Sequence, residues 1–120
     1  MPKPFSLKDR ANSFVYAGRG IVTLLKTQHN TWLHCLATVV VAGMAYALDV
    51  TRSDYLWLLL AIVLVWLTEA FNTAIEFVAD AVSTDYRLEI KHAKDVAAAA
   101  VLLAASFAVI VGLVIFLPYL

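Results

Sequence analysis

The run YLWLLLAIVLVWLTEAFNTAIEFVADAV, from Tyr55 to Val82, decides the fold of this chain. Tyr55–Leu67 is purely apolar, and the helical pattern then continues through Val82 while taking on Glu69, Asn72, Thr73, Glu76 and Asp80. On insertion scales an acidic side chain at membrane depth costs about 2.5–3.5 kcal/mol, so three carboxylates in one span do not serve fold stability. At about 100° per residue the five polar positions fall within roughly a 100° arc and line one face. At ~1.5 Å per residue the stripe runs about 16 Å, from inside the hydrocarbon toward one membrane surface, with Glu69 the deepest.

Working outward, Asp49–Asp54 reads as a polar turn preceded by a shorter apolar span, Trp32–Leu48, with His34 as its one ionisable side chain and Trp32 as an interface anchor. After the stripe, Ser83–Asp95 reads as a polar connection, and Val96–Leu117 as a third span without charge, ended by Pro118. Toward the N-terminus, Lys8–Lys26 is amphipathic at the helical period. Phe14, Val15, Ile21, Val22, Leu24 and Leu25 share one arc; Lys8, Asn12, Tyr16, Arg19, Thr23 and Lys26 share the other. Such a helix lies along a membrane surface or packs on its neighbours with a solvated outer face, and the pattern leaves both open. The opening stretch, Met1–Arg10, is polar and contains Pro, unlike a cleavable leader.

Composition agrees with a single small domain in a bilayer. Of 120 residues, 62% are hydrophobic and 15% charged, well below the roughly 25% charged residues of a soluble domain. The formal net charge of zero gives no electrostatic footprint for nucleic acid. Lys3, Lys8, Arg10, Arg19 and Lys26 precede the first span and Arg87, Lys91 and Lys94 follow the second, whereas the first turn has only Arg52 and the C-terminal end has no basic residue. The basic excess places the N-terminus and the second connection in the cytoplasm. The expectation is an all-α membrane protein with three transmembrane helices (about 32–48, 55–82 and 96–117) plus an N-terminal amphipathic surface helix (about 8–26). Ala100, Ala104, Ala108 and Gly112, four apart, form a small-residue surface for close helix approach. Cys35 reads as packing, and His29 and His34 are too few and isolated for a zinc site.

The stripe has three readings. A buried network could fix an oligomer; intramembrane carboxylates could carry ions in a small channel or transporter; or the chemistry could be phosphoryl transfer. The third suits the sequence that follows, because the stripe exits into Asp85, Arg87, Lys91, His92, Lys94 and Asp95 on the side where nucleotides are found. A carboxylate at lipid depth can accept a hydroxyl proton, oxygen ligands nearer the surface can hold Mg²⁺ on phosphates, and Lys can neutralise the transferring group.

The run Glu69-Ala70-Phe71-Asn72-Thr73-Ala74-Ile75-Glu76, with Asp80 and then Ala93-Lys94-Asp95-Val96-Ala97-Ala98-Ala99-Ala100-Val101, resembles the signature of the bacterial integral-membrane diacylglycerol kinase and undecaprenol kinase family. The likeness extends from about Arg10 to Phe116 and includes Ser13-Phe14, Tyr16, Arg19-Gly20 and Asn30. It implies a homotrimer in the bacterial inner membrane, with composite active sites at the cytoplasmic interface that use ATP and Mg²⁺ to phosphorylate a lipid alcohol: diacylglycerol, or alternatively undecaprenol. It further implies Glu69 as general base, Asn72 as an active-site amide and Glu76 as a metal-binding carboxylate. Tyr16, Asp85, Tyr86, Arg87, Lys94 and Asp95 match positions associated with ATP, while Asp80 reads as structural or helix-terminal. Gln28 stands where the best-known members have a second metal-binding Glu. An amide oxygen can ligate Mg²⁺ but brings no charge, which predicts weaker metal affinity.

Overall fold

The computed structural model describes residues 1–120 and contains four α-helices and no strand: α1 (Leu7–Thr27), α2 (His29–Ala47), α3 (Arg52–Val82) and α4 (Leu88–Phe116), followed by a 3₁₀ turn at Leu117–Tyr119. Short-range chemistry sets the ends. Ser6 caps α1 by accepting from the Asp9 amide at 3.3 Å, and Thr51 caps α3 by accepting from Asp54 at 3.1 Å. Asp49 closes α2 at φ 52°, a left-handed conformation that Asp tolerates better than most residues. Gln28 alone separates α1 from α2; its extended backbone ends the first helix and begins the second. Thr31, fully buried, locks this corner by donating to the Leu24 carbonyl at 3.3 Å.

α3 packs most extensively on α4, as an antiparallel pair joined by residues 83–87. Along α4 the residues withdrawn from the surface include Ile90, Lys94, Ala97, Val101, Ala104, Ala108, Val111 and Ile115, alternating four and three apart. That is a coiled-coil seam rather than a strict four-residue stripe, and the drift between the two periods leaves Ala100 exposed while Ala104 is buried. The polar connection is also shorter than Ser83–Asp95: α4 begins eight residues before the apolar segment. Glu89 in its first turn suits the helix N-terminus, and Lys91 bonds Asp95 one turn on at 2.6 Å.

The apolar core, Ala45, Val50, Leu58, Ala61, Val111, Ile115 and Phe116, lies where the α2–α3 turn meets the end of α4, opposite the polar connection. α3 and α4 are each long and apolar enough to cross a bilayer. α2, 19 residues and about 28 Å long, carries His29, Asn30, Thr31, His34 and Thr38 among its apolar residues. The chain exposes 9133 Å², against about 6400 Å² for a compact soluble protein of its 13.2 kDa mass. Most of that surface is Leu, Val, Ile and aromatic, which requires an apolar surrounding.

Candidate functional site

Burial along the stripe is greatest at Glu69 and is lost at Asp80, beside the polar connection. Glu69 and Thr73 are buried, Asn72 and Glu76 half-buried, and Asp80 exposed. Glu69 does not face the outside: at 2% exposure it lies against α2, where His34 Nε2 comes within 3.3 Å of its Oε2. Trp66, one turn earlier on α3, meets the His34 ring edge-on at 6.2 Å and donates its indole N–H to Thr38 Oγ1 at 3.0 Å. Thr38 in turn donates to the His34 carbonyl at 2.7 Å. Two further polar atoms of the stripe, Asn72 Oδ1 and Thr73 Oγ1, are buried with no hydrogen-bond partner in the chain. An unpaired buried acceptor costs about 1–3 kcal/mol, so both atoms call for a ligand or a neighbouring chain.

The second group forms at the α3–α4 connection. Thr84, Asp85, Tyr86, Arg87, Lys91, Lys94 and Asp95 line a polar cleft of ≈ 440 Å³. Five of the residues matched to ATP positions therefore meet in one place, three from the connection and two from the exposed start of α4. The cleft is joined to the stripe by an ion pair, because Lys94 Nζ bonds Asp80 Oδ1 at 2.8 Å. That hydrogen bond, with the charges of Asp80 and Glu76, raises the Lys94 pKa above its ordinary value. Asp95 is shifted the other way, its carboxyl held below the usual range first by the hydrogen bond from Lys91 and then by that cation's charge. Asp80 thus pairs with an ammonium group at the mouth of the cleft.

Tyr16 and Gln28 stand apart from this cleft. Tyr16 is exposed on α1 with the Arg19 guanidinium over its ring at 5.8 Å. The Gln28 amide nitrogen donates to Thr27 Oγ1 at 3.3 Å within the α1–α2 corner. No three His, Cys, Asp or Glu side chains of the chain converge as a metal cage. The donor set still fits Mg²⁺ carried by a nucleotide, which takes only one or two protein oxygens beside phosphate and water. Glu76 has the carboxylate oxygens such a ligand needs, and the unpartnered Asn72 Oδ1 one turn away is a further oxygen.

The residue that sequence reasoning passed over is His34. Its sequence context excludes a zinc site but does not single out Glu69 as its partner 35 residues away. The available signal was that each is an ionisable group within a span expected from sequence, where such groups pair with one another.

Comparison with known proteins bears on the whole chain. An undecaprenol kinase of Bacillus subtilis (strain 168) is 36% identical over 108 residues, covering 90% of this chain and 88% of that protein. A diacylglycerol kinase of Synechocystis sp. is 42% identical over 107 residues, covering 88% of this chain and 61% of that protein. The profile of the family described as prokaryotic diacylglycerol kinase matches residues 15–116, the whole of α2, α3 and α4 and the C-terminal part of α1. Stripe, cleft and the helices that carry them all fall inside that match, and the chain belongs to the prokaryotic diacylglycerol kinase family.

Proposed function

We propose that this chain is a lipid kinase that transfers the γ-phosphate of ATP to the hydroxyl of a membrane lipid alcohol. The observation that carries the reading is a buried carboxylate, Glu69, placed on the same helix as a stripe that leads to a polar cleft of ≈ 440 Å³. An acceptor hydroxyl arrives from the lipid and a nucleotide from water, and the stripe connects the two environments. Glu69 takes the hydroxyl proton, the Asn72 amide orients the reacting groups, and Lys94 with Arg87 balances phosphate charge. Asp85, Tyr86, Asp95 and, from α1, Tyr16 bind the rest of the nucleotide. Mg²⁺, held by Glu76 with Gln28 as a neutral oxygen ligand, would supply charge neutralisation on the phosphates.

The 120 residues act as one domain with α2, α3 and α4 crossing the bacterial plasma membrane, α1 on the cytoplasmic surface, and three copies sharing their sites. The Lys and Arg distribution supports the orientation. The exposed apolar arc of α1, from Phe14 through Ile21, supports its surface placement. The orphaned Asn72 and Thr73 oxygens support an assembly in which a neighbour or a substrate covers the stripe.

For the acceptor, the family description and the higher identity to the Synechocystis enzyme favour diacylglycerol, converted to phosphatidic acid. Undecaprenol is the second reading, favoured by a match along 88% of the Bacillus enzyme. The test is radiolabelled ATP with each lipid in detergent micelles. Label in one lipid identifies the acceptor; no label in either, with the protein folded, removes the kinase reading and restores the channel or transporter.

A further inference from the structure

We propose that His34 is the positioning residue of the Glu69 carboxylate, holding one oxygen so that the other is presented to the acceptor hydroxyl. This rests on the lipid kinase reading above. Glu69 and His34 side chains are 3% and 19% exposed, so water does little to solvate the carboxylate, and His34 Nε2 is its hydrogen-bond partner in the chain. An ionised carboxylate only accepts, which requires the hydrogen on Nε2. The ring that carries this hydrogen is itself fixed. Trp66 meets it edge-on, and Thr38 links the Trp66 indole to the His34 carbonyl, closing a loop between α2 and α3 that ends at the carboxylate.

With Oε2 occupied, Oε1 is the oxygen left for chemistry. As the acceptor oxygen bonds to the γ-phosphorus, its proton passes to Oε1. The bond from that phosphorus to the β,γ-bridging oxygen breaks, and its electron pair leaves with ADP. Without the Nε2–H the carboxylate is free to rotate, and both oxygens compete for the same proton. The effect falls on turnover rather than on nucleotide binding, because His34 lies on α2, away from the cleft at residues 84–95.

The experiment compares the full chain with His34→Leu and His34→Gln in micelles, on whichever lipid alcohol the wild type phosphorylates. Gln places its amide Nε2–H close to where the imidazole Nε2–H lies; Leu keeps bulk and removes the donor. His34→Leu should lower kcat about 10- to 100-fold. KM for ATP should stay within about twofold, and His34→Gln should recover most of the rate. A ring-¹⁵N spectrum of the wild type should show a protonated Nε2, a readout that needs no variant to fold. A bare Nε2 in an active wild type, His34→Leu at the wild-type rate, or His34→Gln as slow as His34→Leu each overturns the proposal for His34 while leaving the kinase reading standing. A folded wild type that phosphorylates neither lipid instead removes the kinase reading, and this proposal falls with it.

Discussion

A carboxylate surrounded by Trp66, His34 and apolar helix is costly to keep, and its removal should affect chemistry more than architecture. Glu69→Gln keeps the size and an acceptor oxygen for His34 but cannot take a proton. Turnover should fall by about 10²- to 10⁴-fold while size-exclusion chromatography reports an unchanged oligomer; retained turnover would remove Glu69 as the base. Glu76→Gln should raise the Mg²⁺ concentration for half-maximal activity, and Gln28→Glu should lower it, since each changes one unit of charge beside the cation. A metal titration that shifts in neither variant counts against both as ligands. That Glu69 is buried was legible from sequence, because it is the first acid after thirteen apolar residues and Thr68. Its pairing with His34 was not, since that depends on how α2 is rotated about its own axis, and neither helix's periodicity states this.

At the scale of helices, the α3–α4 seam alternates four and three, with small side chains at Ala97, Ala104 and Ala108. Ala104→Phe should overpack it and destabilise the fold by about 1–3 kcal/mol in denaturation from mixed micelles. Ala100→Phe, off the seam, should leave α3–α4 packing intact; equal losses at both positions would mean that α4 turns another face to α3. The clasp at the other end of the pair is electrostatic. Lys94 has a raised pKa, so its contribution is present below lysine's ordinary value and is lost only as pH climbs through the raised one. Asp95 has a lowered pKa, so its contribution is present above the ordinary carboxylate value and is lost only as pH falls through the lowered one. Thermal stability should therefore vary little through these two groups between about pH 5 and 9. The apolar part of α4 was evident from composition, but its first two turns were not. Glu89, Lys91, Lys94 and Asp95 read as a solvated connection until the Lys91–Asp95 bond and the Lys94–Asp80 pair are seen to make them helix.

For the whole molecule, only 14 of 120 residues are buried, too few for a chain that stands alone in water. Purified in detergent, the protein should have three times the 13.2 kDa mass of one chain by light scattering, after subtraction of the micelle. The crossing of α2 can be tested because Cys35 is the single cysteine. In a Cys35→Ser background, a cysteine at Ser6 and one at Arg52 should react with an impermeant maleimide from opposite faces of sealed vesicles. Labelling from one face would mean that α2 does not cross. The membrane class and the stripe could be read from side-chain types alone, whereas the joint between α1 and α2 could not, because no Gly or Pro marks it. That joint has a mechanical consequence. With Thr31 pinned to Leu24 and a single residue between the helices, relative motion is confined to a couple of torsions, and α1, about 31 Å long, behaves as an arm on α2. With α2 crossing and α1 on the surface as proposed, a thicker or thinner bilayer that re-tilts α2 would swing the far end of that arm through the headgroups, carrying Tyr16 with it and gearing lipid length to the posture of the outermost helix.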